Sequence, residues 1–310
     1  MSPRLNLALL VGAEDGLWSM LPGDEAKLVI ETRSVRSLDV RGDLAIAGSA
    51  EGVWLHRKGA WKQVLEGDVR CVRIGPEGTL VAGVATSTVL ASDDEGASWH
   101  EWETLQNLVR YHGQRMGTRA AGAPVSGIAF ASGIIVAFSG IGAFLTLDRG
   151  RTWALHSEGL DRRVHGLWDH PERAERLYAA APSGFYRTED GGYSWVQSLH
   201  GLDRSWACDM AVLPGVPDTL VLSAARAGDG EGSALFHSAD GAISWTRLLL
   251  GENDEWSRPP LVTSLTSPVD ALFVLAGHEV WGSHDRGERW IPMADGLPLG
   301  NTFLAAVGEW

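Results

Sequence analysis

The chain has 310 residues, of which 45% are hydrophobic, with 38 glycines, 14 tryptophans and a formal net charge of −13. That acidic balance argues against nonspecific binding to nucleic acid or to an anionic membrane, since both need a basic face. Two cysteines, Cys71 and Cys208, stand far apart and outside any CxxC pattern, which argues against a disulfide framework or a thiolate zinc site, and no apolar run reaches the roughly 18 residues of a membrane helix.

In chain order the predicted elements are short strands separated by turn signals, and no convincing amphipathic helix interrupts them. LNLALLVG from Leu5, then GLWSM and KLVIE, read as three strands. The opening MSPRLNLALLVGA also has the outline of a short signal peptide: one arginine, an apolar run, then small residues. The strand reading is preferred, so a cytoplasmic location is expected, with export the alternative if that segment acts as a signal. Six four-strand units follow, with first strands beginning near Val35, Val69, Val125, Val164, Ala207 and Val262. The clearest unit reads VSGIAF from Val125, IIVAFS from Ile134, AFLTL from Ala143 and TWALH from Thr152. NTFLAAV from Asn301 is a lone first strand that completes a seventh unit with the three N-terminal strands. Closing the two chain ends in this way removes open sheet edges that would invite aggregation. Length alone suggests two domains, but closed β repeats run past 250 residues as one. No linker or low-complexity tract divides the chain, so one domain over residues 1–310 is expected.

Five stretches are near copies: SDDEGASW from Ser92, TLDRGRTW from Thr146, TEDGGYSW from Thr188, SADGAISW from Ser238 and SHDRGERW from Ser283. Their pattern is [ST]-x-D-x-G-x-[ST]-W. The fourth has Gly241-Ala242 where x-Gly is expected, and the fifth has Arg289 in the Ser/Thr position. In such a turn the carboxylate accepts nearby backbone N–H groups, the hydroxyl adds a local bond, and glycine takes the φ > 0 position. The tryptophan then starts the next strand and buries its ring between sheets. These structural roles fall to Asp94, Gly96 and Trp99, to Asp148, Gly150 and Trp153, and to Asp190, Gly192 and Trp195. They fall likewise to Asp240 and Trp245, and to Asp285, Gly287 and Trp290. Unit one has only HRKGAW, a shortened turn that keeps Trp61. The repeat resembles the Asp-box, or BNR repeat, of sialidases, sortilin-type receptors, xyloglucanases and the propeller that assists photosystem II assembly. The expected fold is therefore all-β: a seven-bladed β-propeller with four-stranded blades, whose closing blade is shared by the N- and C-terminal strands.

The resemblance places ligands on the face opposite the repeated turns, around the axis. Three insertions enlarge that face: His100 to Pro124, including NLVRYHGQRMGTRAAG; ARAGDGEGS from Ala225, flexible by composition; and GENDEWSRPP from Gly251. Loops this long are uncommon in compact domains unless functional or disordered. Polar residues recur at the second position of the first strands: Arg36, Arg70, Ser126, His165, Cys208 and Thr263. They should ring the channel mouth. Asp209 stands where other units have Ser37, Cys71, Gly127, Gly166 and Ser264. The candidate ligand-binding residues are thus Arg36, Arg70, His165 and Asp209, walled by Arg110, Tyr111, His112 and Trp256.

No catalytic constellation is recognisable. There is no HExxH, no GxSxG and no phosphate loop between strand and helix. A histidine metal site would need scattered residues such as His112, His165 and His278, and neither a metal nor a cofactor is expected. A sialidase uses a tyrosine nucleophile, and the resemblance adds three arginines and an early Arg-Ile-Pro segment. Here Arg73-Ile74-Gly75-Pro76 is interrupted, and only Tyr111 of four tyrosines sits on a plausible ligand-facing loop. Known sialidases also have six blades. The expected function is a noncatalytic propeller, a monomer that binds a small molecule, glycan or protein at the channel mouth. The alternative is a glycoside hydrolase or lyase there, for example pairing Asp209 with a carboxylate of the third insertion.

Overall fold

The computed structural model describes residues 7–85, 87–117 and 123–308. Leu5 and Asn6 of the expected first strand, and positions 118–122 of the first insertion, lie outside these. Seven four-stranded antiparallel sheets form a ring. Six of them run outward in chain order from inner strands Val35–Arg41, Val69–Ile74, Val125–Phe130, Gly166–Asp169, Trp206–Leu213 and Leu261–Leu265, here called blades one to six. The seventh places Gly300–Val307 inside Leu7–Ala13, Gly16–Met20 and Lys27–Glu31. The chain ends therefore close the ring as expected, with Leu9 opposite Ala305 and Val11 opposite Phe303.

The repeated turns have a common hydrogen-bond set. Asp148 accepts the Thr146 hydroxyl (2.8 Å), the Thr152 amide (2.8 Å) and the Thr152 hydroxyl (2.6 Å), while Thr146 accepts the Gly150 amide (2.9 Å). Asp94, Asp190 and Asp240 repeat it, and Asp285 does so without the last hydroxyl, because Arg289 supplies only its amide. Hydrogen bonds from the Ser98 and Thr152 hydroxyls to the carboxylates, followed by those from the same residues' amides, hold Asp94 and Asp148 down at about 2. Each turn needs two successive left-handed residues, such as Arg149 (φ 58°) and Gly150 (φ 86°). A Cβ on Gly192 would also lie 2.5 Å from the Ile135 side chain of the preceding blade. The glycine thus serves both the turn and the contact between blades. In the fourth copy the pair is Gly241 and Ala242, and Ala242 itself takes φ 64°.

Trp153, Trp195 and Trp245 are buried as expected. Trp99 and Trp290 are only half-buried, which corrects the expectation of five buried rings. Trp99 donates to the carbonyl of Val64 in blade one, which lacks the full turn and offers less cover. That blade instead makes a two-residue hairpin with Lys58 and Gly59 both at positive φ, the primed turn that matches strand twist.

A second correction concerns the first insertion. Residues Glu103–Arg115 form a helix in place of most of the outer strand of blade two. Leu105 and Val109 join a buried cluster with Phe138, Ile141, Phe144, Trp102 and Trp153. The apolar residues Leu105, Leu108, Val109 and Met116 follow helical spacing. Reading the whole insertion as a ligand-facing loop hid that signal. Among the described residues no helix is long and apolar enough to cross a membrane.

Candidate functional site

The inner strands enclose an axial channel of about 700 Å³ to which all seven blades contribute. Its mouth, at the start of these strands, is shaped by a recurring irregularity. Arg36, Arg70, Ser126, Cys208 and Asn301 are each the extra residue of a β-bulge. A bulge leaves its residue outside the ladder and re-aims the side chain. This is the physical origin of the polar second position seen in the sequence.

The mouth groups are engaged with one another. Arg36 pairs with Asp68 and reaches the Val69 carbonyl at 3.3 Å, and Arg70 binds the other oxygen of Asp68 at 3.1 Å. Burial works against the Asp68 carboxylate, but the two guanidinium groups hold it below its ordinary range. His165 stacks on Trp206 with centroids 4.8 Å apart and donates from Nε2 to the Ala207 carbonyl at 2.5 Å. Burial lowers its pKa.

One level down, Asp209 accepts the amide of Met210 and that of Val262 in the next blade, both at 2.9 Å. Ser37, its counterpart in blade one, accepts the Val72 amide of its next blade at 3.1 Å. The carboxylate among small residues is thus an inter-blade clasp. Burial dominates those two bonds and pushes Asp209 up to about 7. A folded-state pKa above the unfolded value contributes stability that is full below about pH 4 and is lost as pH rises through about 7. The wild-type protein is therefore expected to lose this increment between pH 4 and 8, and Asp209→Asn to lack that slope; chemical denaturation across the range measures it.

Deeper still, Arg73 donates to Asp39 at 3.0 Å, to the Ile128 carbonyl at 3.3 Å and to Asp169 at 2.5 Å, joining blades one to four across the channel. Asp39 also accepts the Ile74 amide at 2.7 Å. Burial opposes the charge on Arg73, but Asp169 and Asp39 drive its pKa upward. Sequence reasoning missed all three residues. Alternation along a strand puts its third and fifth residues on one face, so the argument that aimed Asp209 at the axis also aims Asp39 and Arg73 there.

Of the expected ligand-binding residues, Arg36, Arg70, His165 and Asp209 line the channel. Arg110, Tyr111 and His112 do not; they lie on the helix, where the Tyr111 hydroxyl accepts from Arg115 at 2.8 Å and His112 packs edge-on to Phe144. Trp256 lies in a separate cavity with Leu250, His278 and Trp281. Its backbone pairs with Ser233, at 2.9 and 2.8 Å, and so pins the glycine-rich second insertion that composition marked as flexible. Glu255 of the third insertion binds Arg204 and Arg226, each at 2.8 Å, and no residue of that insertion reaches the channel wall. The carboxylate pair considered from sequence is therefore not assembled. Cys208 turns its sulfur to the Trp206 carbonyl rather than to the channel. Burial pushes both Cys71 and Cys208 up to about 12, so neither offers a thiolate at neutral pH.

No family model matches the chain, and no curated protein matches it. Solved structures that are similar in fold include an ancestral GH74 enzyme, at 16% identity and TM-score 0.65 over 93% of this chain. The chain spans 40% of that enzyme's length. YCF48 bound to D1 peptide is similar at 15% identity and TM-score 0.57, covering 96% of this chain and 95% of that one. A putative 6-phosphogluconolactonase from Bacteroides fragilis is similar at 10% identity and TM-score 0.63, covering 99% of each chain. At these identities the likeness is one of fold, and the fold is a β-propeller.

Proposed function

We propose that this chain is a noncatalytic Asp-box propeller that binds a small molecule, glycan or protein at the channel mouth, opposite the repeated turns. One observation carries the reading: most ionisable groups that line the channel are engaged, with one another or with backbone groups. Arg73 is shared by Asp39 and Asp169, Arg36 and Arg70 share Asp68, and Asp209 clasps the next blade. A catalytic acid or base needs a proton or lone pair free to face a substrate. Among the fold neighbours, YCF48 has been captured with a peptide bound, an interaction of the class proposed here. The protein acts as a monomer without metal or cofactor.

The second reading, a glycoside hydrolase or lyase at the same mouth, has one observation in its favour. A carboxyl near pH 7, as at Asp209, suits a general acid. Two assays separate the readings. Fluorogenic glycosides, including a sialoside, are expected to release no fluorophore; release by the wild type that is lost in Asp209→Asn establishes the enzyme. A thermal-shift screen of sugars, sugar acids and acidic peptides is expected to give ligands whose stabilisation falls in the Arg70→Ala/His165→Ala double variant. Stabilisation that survives those substitutions places the site elsewhere.

A further inference from the structure

A second cavity, of about 190 Å³, opens on the opposite face, between blades two and three. Its floor is apolar: Trp102 and Phe130 are each more than nine-tenths buried, and Ile134 and Ala131 continue the wall. Its rim is charged. Glu77, in the first turn of blade two, pairs across the opening with Arg149 of the repeated turn in blade three. Both side chains of that pair are well exposed, at 65% and 74%, so solvent screens it and it opens at little cost. Asp93, also on the rim, accepts only the Thr79 hydroxyl, at 2.6 Å, and makes no ion pair among the described residues.

The lining therefore carries Glu77 and Asp93 against Arg149, with His100 beside them, so with the imidazole neutral one carboxylate is in excess above a slot the size of one aromatic ring. We propose that this slot is a binding site for a small arylalkyl ammonium ion. The ring lies between Phe130, Ile134 and the exposed edge of Trp102, and the ammonium group sits at the Asp93 carboxylate. The arrangement rewards both halves of such a ligand. Apolar area leaves water, and the cation meets an unpaired carboxylate beside aromatic faces. An arylalkyl carboxylate gains the first and meets repulsion in the second. The site is independent of the channel mouth and does not depend on the function proposed there.

The experiment is ligand-observed NMR titration of the full chain with phenethylamine, and with 3-phenylpropionate as the isosteric anion. A ligand of this size at an ordinary efficiency per atom binds with a Kd on the order of 1 mM. Phenethylamine is expected to bind at least fivefold more tightly than phenylpropionate. Asp93→Asn should remove that preference while leaving the thermal midpoint unchanged, since Asp93 is exposed and bonded only to Thr79. Ala131→Leu, which fills the slot, should weaken both ligands. Equal binding of the two by the wild type, binding indifferent to both substitutions, or no binding of phenethylamine up to about 10 mM overturns the proposal.

Discussion

Removal of residues 300–310 is expected to leave a protein that aggregates or melts at a much lower temperature than the full chain. The strand Gly300–Val307 pairs with Leu7–Ala13 over its length, and Phe303, Ala305 and Ala306 are buried in the joint. Without it Leu7–Ala13, whose seven residues are all buried, becomes an unpaired apolar edge at the centre of the ring. An exposed edge of that kind templates pairing with another chain. Asn301 would go too, and with it a hydrogen bond to Glu14 within the closing blade at 3.0 Å and one to the Val35 carbonyl at 3.3 Å that ties that blade to blade one. Size-exclusion chromatography and thermal melting read the outcome. Aggregation, or a broad transition at much lower temperature, is expected; a truncated chain that elutes as the full one does and melts at the same temperature contradicts the closure.

Much of the ring was legible because its signals are local. The turn pattern fixes where strands three and four meet, and each hydrogen bond among its Asp, Gly and Ser/Thr residues spans at most four positions. A lone first strand at the C-terminus and three unclaimed strands at the N-terminus left one way to close the edges. The helix over Glu103–Arg115 was overlooked because the segment read as a loop insertion, although Leu105, Leu108, Val109 and Met116 have helical spacing. The site was legible only in part, since its contacts are made between blades. Arg36, Arg70, His165 and Asp209 reach the channel because each lies at a fixed place in an inner strand. Arg110, Tyr111, His112 and Trp256 do not, because insertions are placed by packing. The helix buries its apolar face on blade three, and Trp256 pairs with Ser233. The partnership of Arg73 with Asp39 and Asp169 spans 34 and 96 positions of sequence, and no linear pattern announces it.

That partnership supports the central proposal, that the ion pairs of the channel hold the ring together. Arg73, Asp39 and Asp169 have side chains only 21%, 18% and 15% exposed. Removing the cation leaves two poorly solvated carboxylates facing each other across the channel. Breaking a buried pair from one side costs roughly 3–5 kcal/mol, and water in the channel places this case near the lower end, at about 3 kcal/mol. The measurement is the unfolding free energy of Arg73→Met by chemical denaturation at pH 7. The account predicts a loss of about 3 kcal/mol. An Arg73→Met protein as stable as the wild type, with its ligand binding or turnover abolished, would contradict it and make Arg73 part of a working site.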